Sequence, residues 1–277
     1  EKGQSPHQLM MSATPIPRTL AMSFYADLDV SVIDELPPGR TPIVTKLVSD
    51  ARRDEIIDRI AAKVLEGRQV YWVCPLIEES ETLQLQTAVD THAQLVEELV
   101  VAAVGLLHGK MKSEEKAATM AAFQRNEIQV LIATTVIEVG VDVPNASLMV
   151  IEHAERMGLS QLHQLRGRVG RGAHASLCIL LYTTPLGETA KARLKVIYEH
   201  TDGFEIARQD LHIRGPGDLA GVKQSGVPML RFADIENDAD LLAVARETAE
   251  DILQHQPQLA QPHLDRWLPG REALLKV

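Results

Sequence analysis

The chain has 277 residues, of which 45% are hydrophobic and 24% charged, with 14 prolines and 17 glycines. This amino-acid composition is ordinary for a globular protein. No stretch approaches the roughly 20 consecutive apolar residues that a membrane helix needs, so we expect a cytoplasmic protein. The net charge of −10 argues against a generic basic nucleic-acid binder.

The first 42 residues end in a stiff, extended connector, Pro37-Pro38-Gly39-Arg40-Thr41-Pro42. The piece before it, about forty residues, is too short for an independent core. We expect it to be either an arm or the edge of a domain that the chain lacks.

Helices and strands alternate from about residue 51. Asp50 is expected to cap a helix that ends at Gly67, a second helix covers 82–100, and Ser113 is expected to cap a third. Buried strands are predicted at 70–74, 103–107, 130–133, 148–151 and 177–181. Apolar strands alternating with amphipathic helices predict an α/β fold, with a parallel sheet covered on both faces and ligands at the carboxyl ends of the strands.

The strand signal stops beyond about residue 185. Helices near 187–199 and 234–254 flank a glycine-rich segment, and a helix-poor tail with Pro257, Pro262 and Pro269 follows. We therefore expect a mostly helical C-terminal extension. Cys74 and Cys178 lie far apart in apolar runs, which indicates reduced core thiols and not a disulfide or a metal site.

The charge is distributed unevenly along the chain. Segments 76–100 and 234–251 each carry −6, so the rest of the chain, −10 minus −12, carries +2. Segment 156–174 contains four arginines and no acid: Arg156, Arg166, Arg168 and Arg171. Such a cluster can bind phosphate whatever the total charge.

The most informative stretch is QLRGRVGR, residues 164–171. A helix capped by Ser160 and ended by Gly172 would place Gln164, Arg168 and Arg171 on one face. Gly167 and Gly170 would each cost about 1 kcal/mol inside a helix, which suggests a close approach to the backbone. Two guanidiniums and an amide suit a polyphosphate, and the alternative is a solvated basic face.

This stretch resembles motif VI, Q-x-x-G-R-x-G-R, of the superfamily 2 helicases. Residues 12–15 (SATP) resemble motif III, residues 134–144 (TTVIEVGVDVP) resemble motif V, and His108-Gly109 matches a further block that contacts the DNA backbone. The resemblance implies a RecA-like domain in which Arg168 and Arg171 act as catalytic fingers on the γ-phosphate of ATP bound by another motor domain. It also implies ATP contacts from Gln164, Gly140 and Asp142, DNA contacts from Thr134, Thr135 and His108, and coupling of the two sites by Ser12 and Thr14.

Three stretches narrow the resemblance. Residues 12–21 (SATPIPRTLA) and residues 202–226 are similar to double-stranded DNA translocases that share the TRG translocation motif. In those proteins a helical hairpin and a loop convert ATP-driven closure into movement on duplex DNA, which implies coupling contacts from Arg208, Arg214 and Gln224. Residues 233–246 are similar to the branch that remodels replication forks, more than to the transcription-repair coupling translocases. His212 stands where the family usually has Glu, so no role is assigned to it.

A phosphate-binding loop of the pattern G-x-x-x-x-G-K-S/T does not occur in the sequence. Residues 32–35 (VIDE) lie after motif III, so we interpret them as linker and not as a magnesium site. The resemblance therefore implies a chain that does not hydrolyse ATP alone, because its ATP and Mg²⁺ site is completed by a missing first motor domain. The implied domains are 1–42, the end of that first domain and linker; 43–185, the second RecA-like domain; 186–228, the TRG hairpin and loop; and 229–277, a helical extension.

The implied parent is an ATP-dependent double-stranded DNA helicase that remodels stalled forks and Holliday junctions in recombination and repair. Its expected partners are branched duplex DNA, a wedge and the first motor domain of the same protein, and a single-stranded DNA-binding protein; a monomer is expected. Two alternatives stay open: a transcription-repair coupling translocase, and a non-catalytic module whose acidic stretches dock a partner.

Overall fold

The computed structural model describes residues 42–75, 81–134, 143–172, 174–214 and 238–267, with the single positions 9, 11, 31, 33 and 35. Within these ranges, the side chains at 81–85, 211, 214, 239, 240, 242 and 243 are not described.

Six parallel strands form one sheet in the described residues, in the order β1-β6-β5-β2-β4-β3. The strands are β1 (Ile43–Ser49), β2 (Gln69–Cys74), β3 (Val104–Leu107), β4 (Val130–Thr134), β5 (Ala146–Ile151) and β6 (Ser176–Tyr182). Strands β2, β4 and β5 are buried along their whole length, because helices cover both faces of a parallel sheet. This burial explains their uninterrupted apolar sequences and confirms the predicted parallel sheet.

Eight α-helices occur in the described residues. They are α1 (Arg53–Leu65), α2 (Glu81–Glu98), α3 (Ser113–Gln124), α4 (Leu159–Arg166), α5 (Glu188–Glu199), α6 (Gly203–Arg214), α7 (Ala239–His255) and α8 (Ala260–Trp267). Helices α1 and α2 bury their apolar stripes in the core on one face of the sheet. Helices α3 to α6 contribute to the core on the other face. The predicted fold class, a sheet with helices on both faces followed by a helical extension, is confirmed.

Two predicted helix caps are wrong. The hydroxyl of Ser49, and not Asp50, accepts the N–H of Ala51 at the start of a short 3₁₀ turn, Asp50–Arg52, that precedes α1. Ser113 is the first residue inside α3, and the N–H of Lys112 before it donates to the Glu115 carboxylate at 3.1 Å. Ser113 is thus at the first helical position and not at the cap, and Glu115 accepts the N–H of the capping residue as in a capping box.

Two elements were not predicted. Strand β1 lies at the sheet edge beside β6 and carries polar Thr45 and Lys46, so it lacks the apolar run of the central strands. Helix α8 lies in the tail that was expected to be helix-poor. Pro262 is its third residue, where a helix does not use the backbone N–H that proline lacks.

The sheet and helices α1 to α6 lie within one compact unit, Ile33–Gly221, while α7 and α8 belong to a second unit. Both cysteines are free and buried, as predicted. In the ranges that the structure describes, no helix is both long enough and apolar enough to span a bilayer.

Candidate functional site

The stretch predicted as one helix over residues 160–172 is a short helix followed by a turn, so that prediction is wrong. Helix α4 begins after Gly158, whose N–H donates to the Gln161 side chain at 3.0 Å, and it ends at Arg166. Gly167 is the C-terminal cap, and Gly170 has a φ of +80°. A left-handed residue ends a helix, and glycine adopts this conformation without steric cost.

Gln164, Arg168 and Arg171 therefore do not share one helix face. Gln164 is exposed on α4, Arg168 lies two residues beyond the helix, and exposed Arg171 follows the left-handed Gly170. The helix prediction failed because two glycines that terminate a helix were treated as interior residues. We call residues 167–172 the arginine turn.

The expectation of a close approach at Gly167 and Gly170 stays a prediction, whereas the backbone is closely approached at Gly172. A Cβ atom on Gly172 would lie 2.3 Å from the carbonyl oxygen of Pro144. The approaching group is thus the backbone that leads into β5, and not a ligand. This contact holds the end of the arginine turn against the protein.

The arginines of the basic segment have different environments. Within the described part of the chain, the side chain of the half-buried Arg168 makes no hydrogen bond or ion pair, so its guanidinium is available to an anion. Arg166 is only 3% exposed and binds backbone carbonyls, which excludes it from the phosphate-binding cluster predicted over 156–174. Sequence alone could not separate the two, because the carbonyls that bind Arg166 lie more than thirty residues away.

His108 and Thr134 lie side by side at the carboxyl edge of the sheet. Leu107, the last residue of β3, pairs with Ala133 of β4, so the next residues, His108 and Thr134, follow on neighbouring strands about 5 Å apart. The Thr134 side chain is 4% exposed, whereas His108 is partly exposed. The structure thus brings together two of the residues predicted to contact DNA.

The surroundings of the His108 imidazole favour its neutral form. Burial, together with the nearby Lys116 ammonium, lowers the pKa of His108 below its ordinary value of 6.5. Its Nδ1 atom is buried without a hydrogen-bond partner among the described residues, and its backbone N–H approaches the Met111 sulfur at 3.4 Å. A neutral imidazole contacts a phosphate as a hydrogen-bond donor only, without adding a positive charge.

A buried polar cluster at the same edge was not predicted. Arg53 Nε donates to Glu152 Oε1 at 3.0 Å, Cys74 Sγ lies 3.5 Å from Glu152 Oε2, and the Arg53 guanidinium lies 5.0 Å from the Trp72 ring centroid. Burial, aided by the Glu152 carboxylate, raises the pKa of the Cys74 thiol, which therefore stays protonated. The only sequence signal was an acidic residue directly after the apolar strand β5.

The candidate residues lie at opposite edges of the sheet. His108 and Thr134 end strands at the carboxyl edge, whereas the arginine turn packs on Pro144 just before β5 begins. Parallel strands begin at one edge and end at the other, so the turn lies at the amino edge. The structure therefore separates the predicted phosphate-binding arginines from the predicted DNA-contacting residues.

Helix α6 carries two of the predicted coupling residues. Arg208 is exposed and forms a bidentate pair with Glu205, with nitrogen–oxygen distances of 2.9 and 3.0 Å. The Arg208 guanidinium, with the Gln209 amide, lowers the pKa of Glu205 to about 2. Arg214 is the last residue of α6, and its side chain is not described. The predictions for Ser12, Thr14, Thr135, Gly140, Asp142 and Gln224 lie outside the described residues.

Two protein families match successive parts of the chain. Residues 51–173 match the helicase conserved C-terminal domain. Residues 200–268 match the C-terminal part of domain 3 of the ATP-dependent DNA helicase RecG.

Curated relatives and a solved structure agree with these matches. The chain is 59% identical over 271 residues to the ATP-dependent DNA helicase RecG of Acidithiobacillus ferridurans. It is 57% identical over 277 residues to that of Escherichia coli K12. Each comparison covers 98% of this chain and 40% of the relative, so the chain spans about two fifths of their length. A structure of RecG bound to a three-way DNA junction has a TM-score of 0.67 and 46% identity, covering 84% of this chain and 30% of that one.

Four strands of the six-stranded parallel sheet, β2 to β5, and the arginine turn lie within the stretch that is similar to the helicase conserved C-terminal domain. Over nearly its whole length the chain is homologous to RecG, the branch to which its sequence was assigned above.

Proposed function

We propose that the chain is the C-terminal part of an ATP-dependent double-stranded DNA helicase that remodels stalled forks and Holliday junctions. The observation that carries this proposal is the arginine turn, which is anchored at Gly172 and leaves the Arg168 side chain without a partner in the described chain. The relatives named above are ATP-dependent DNA helicases, and the solved structure of a further RecG, 46% identical to this chain, is bound to a three-way junction. They favour the fork-remodelling branch over a transcription-repair coupling translocase.

In this proposal the two edges of the sheet perform two tasks. At the amino edge, Arg168 and Arg171 donate fork-like hydrogen bonds to the polyphosphate of ATP, which is bound mainly by a first motor domain that precedes this chain. At the carboxyl edge, His108 and Thr134 contact the DNA backbone without reading its sequence. The separation lets one rigid sheet respond to ATP at one edge and hold DNA at the other.

The donor set of the arginine turn fits an anionic nucleotide. Each guanidinium carries five N–H donors and keeps its charge at physiological pH, as a polyphosphate contact requires. The described residues contain no cluster of side chains that could hold a metal ion. Mg²⁺, which neutralises charge during phosphoryl transfer, would be bound with ATP by the first motor domain.

Further residues complete the proposed sites by resemblance alone. Gln164, Gly140 and Asp142 are proposed to contact ATP, and Thr135 to contact DNA beside Thr134. Ser12 and Thr14 couple the nucleotide site to DNA in the same proposal, while Arg208, Arg214 and Gln224 act in the translocation hairpin and its loop.

The finger assignment is tested by replacing Arg168 with alanine and, separately, with lysine in the full-length protein that contains this chain. Because arginine fingers stabilise charge in the transition state, we expect the DNA-stimulated kcat for ATP to fall on the order of a thousandfold in Arg168→Ala. Lysine should restore little, since it lacks the planar fork. The matched control is Arg125→Ala, which removes an exposed arginine paired with Glu127. An unchanged kcat in both Arg168 variants would exclude the finger role.

A further inference from the structure

Arg53 has a guanidinium that is bound at one nitrogen and open at the other two. It is the first residue of α1, and its Nε atom donates to Glu152 Oε1 at 3.0 Å. The Arg53 side chain is 18% exposed, and its Nη1 and Nη2 atoms make no hydrogen bond to the part of the chain that the structure describes. Neither of these two atoms is buried, so both reach the surface. Only one of the five N–H donors of the guanidinium is used, and the others are available to an anion.

The guanidinium of Arg53 is already oriented by its neighbours. Glu152 binds its Nε atom, and its central carbon lies 5.0 Å from the ring centroid of the fully buried Trp72. The second carboxylate oxygen of Glu152 lies 3.5 Å from the Cys74 thiol, which holds the carboxylate in place. A planar side chain that is fixed in this way loses little conformational freedom when it binds a further anion.

The geometry of the pair between Arg53 and Glu152 suggests a second partner for the arginine. Arginine and carboxylate side chains frequently pair through two parallel hydrogen bonds, which is the stronger arrangement. Here the carboxylate of Glu152 accepts one hydrogen bond from Arg53, at Nε, and its other oxygen faces Cys74. The pair therefore orients the arginine while leaving both Nη atoms unoccupied.

Arg53 lies beside the residues that are proposed to contact DNA. Cys74, the last residue of β2, pairs with Thr134, the last residue of β4, and Glu152 follows β5 on the other side of β2. Neighbouring strands are about 4.8 Å apart, so Glu152 and Thr134 lie roughly 10 Å apart at the carboxyl edge. His108 follows β3, the next strand beyond β4. A span of this size covers only a few nucleotides of one DNA strand.

We infer that Arg53 is a further DNA-binding residue, whose Nη atoms donate to a backbone phosphate near those contacted by Thr134 and His108. The inference rests on the proposed function and deepens it, because it extends the DNA-binding edge from β3 and β4 to β2 and β5. A phosphate contact of this kind positions the duplex without reading its sequence.

The test measures how the affinity of the full-length protein for a blunt-ended DNA duplex, without ATP, changes with salt concentration. Each phosphate contact releases counterions and contributes about 0.9 to the slope of log K against log salt. We expect Arg53→Gln to lower this slope by about that amount and to weaken binding at low salt about tenfold, by the same factor on duplexes of different sequence.

The same variant separates a DNA phosphate from a phosphate of ATP. ATP is proposed to bind at the opposite edge of the sheet, so the KM for ATP should not change in Arg53→Gln. A raised KM for ATP together with an unchanged salt slope would assign Arg53 to the nucleotide and overturn the inference.

Two further variants separate DNA binding from a purely structural role. Arg53→Gln leaves the carboxylate of Glu152 without its partner, which can lower stability. The double variant Arg53→Gln/Glu152→Gln removes both charges, and it should show the same loss of slope. Glu152→Gln alone keeps the guanidinium and offers an amide oxygen to Nε, so its slope should stay unchanged. An equal loss of slope in Glu152→Gln and Arg53→Gln would show that the pair acts only by holding the fold.

The matched control is Arg52→Gln, which removes the neighbouring positive charge. Arg52 is more exposed, and its Nε and Nη2 atoms bind both carboxylate oxygens of Glu55, at 2.9 and 2.7 Å. Its loss should leave the salt slope unchanged, and an equal loss of slope in Arg52→Gln and Arg53→Gln would overturn the inference. If the unsubstituted protein showed no salt-dependent binding to duplex DNA, the proposed function itself would have failed, a distinguishable result.

Discussion

Gly172 is the residue whose replacement should disturb the site most directly. A methyl group at this position would meet the Pro144 carbonyl oxygen at 2.3 Å, and backbone cannot rotate away as a flexible side chain can. We therefore expect Gly172→Ala to lower the free energy of unfolding by about 1–3 kcal/mol, the usual cost of overpacking. Urea denaturation of the 277-residue chain measures this change.

The matched control is Gly109→Ala. Nothing lies within 4 Å of a Cβ atom at Gly109, so this change should alter the free energy of unfolding by less than about 0.5 kcal/mol. Equal unfolding midpoints for the two variants would show that the arginine turn is not pressed against Pro144.

Two arginines also show which side-chain environments could not be predicted from the sequence. Arg166 and Arg168 are the same residue type two positions apart, yet one is buried against α5 and the other is available to a ligand. Their spacing predicted that both would bind phosphate. The prediction failed for Arg166 because the local sequence does not show which distant carbonyl groups will approach a side chain. The candidate finger Arg168 was predicted from the motif, whereas the burial of Arg166 became visible only with the tertiary contacts.

Among the secondary-structure elements, the strands that are buried along their whole length were the ones that the sequence predicted well. The central strands β2, β4 and β5 are buried throughout, so their apolar runs were recognised within a residue or two. The edge strand β1 was missed because polar Thr45 and Lys46 interrupt its apolar residues. Helix α4 was extended six residues too far, since a glycine that ends a helix and one inside it look alike in sequence.

Helix α6 offers a test by pH. The Arg208 guanidinium and the Gln209 amide hold the pKa of Glu205 at about 2, below its ordinary value of 4.5. A depressed carboxylate pKa stabilises the fold at pH values above the ordinary one, and this stabilisation is lost as the pH falls through about 2. Arg208→Ala should move the pKa of Glu205 up toward 4.5, as measured by carbon NMR of its carboxyl group during acid titration.

Arg246→Ala is the control for this titration. It removes an exposed arginine that pairs with Glu250 on α7, so the pKa of Glu205 should not move. A Glu205 pKa near 4.5 in the unsubstituted chain would contradict the bidentate pair and, with it, the described orientation of Arg208.

At the scale of the whole molecule, the charge is distributed unevenly along the sequence. The net charge of −10 arises mainly from two stretches, 76–100 and 234–251, that lie outside the arginine turn and outside the residues at the carboxyl edge. The sheet, its two covered faces and the helicase resemblance could all be predicted from sequence. The separation of the two candidate sites to opposite edges could not, because it depends on where the chain crosses the sheet.

The central claim is that this chain forms one half of an ATP-driven motor on branched duplex DNA. The most direct measurement compares ATP hydrolysis and three-way-junction unwinding by the full-length protein with the same activities of the isolated 277-residue chain. The account predicts junction-stimulated hydrolysis and unwinding by the full-length protein, and neither activity from the chain alone. Hydrolysis by the isolated chain at the full-length rate, or a full-length ATPase indifferent to junction DNA, would contradict it.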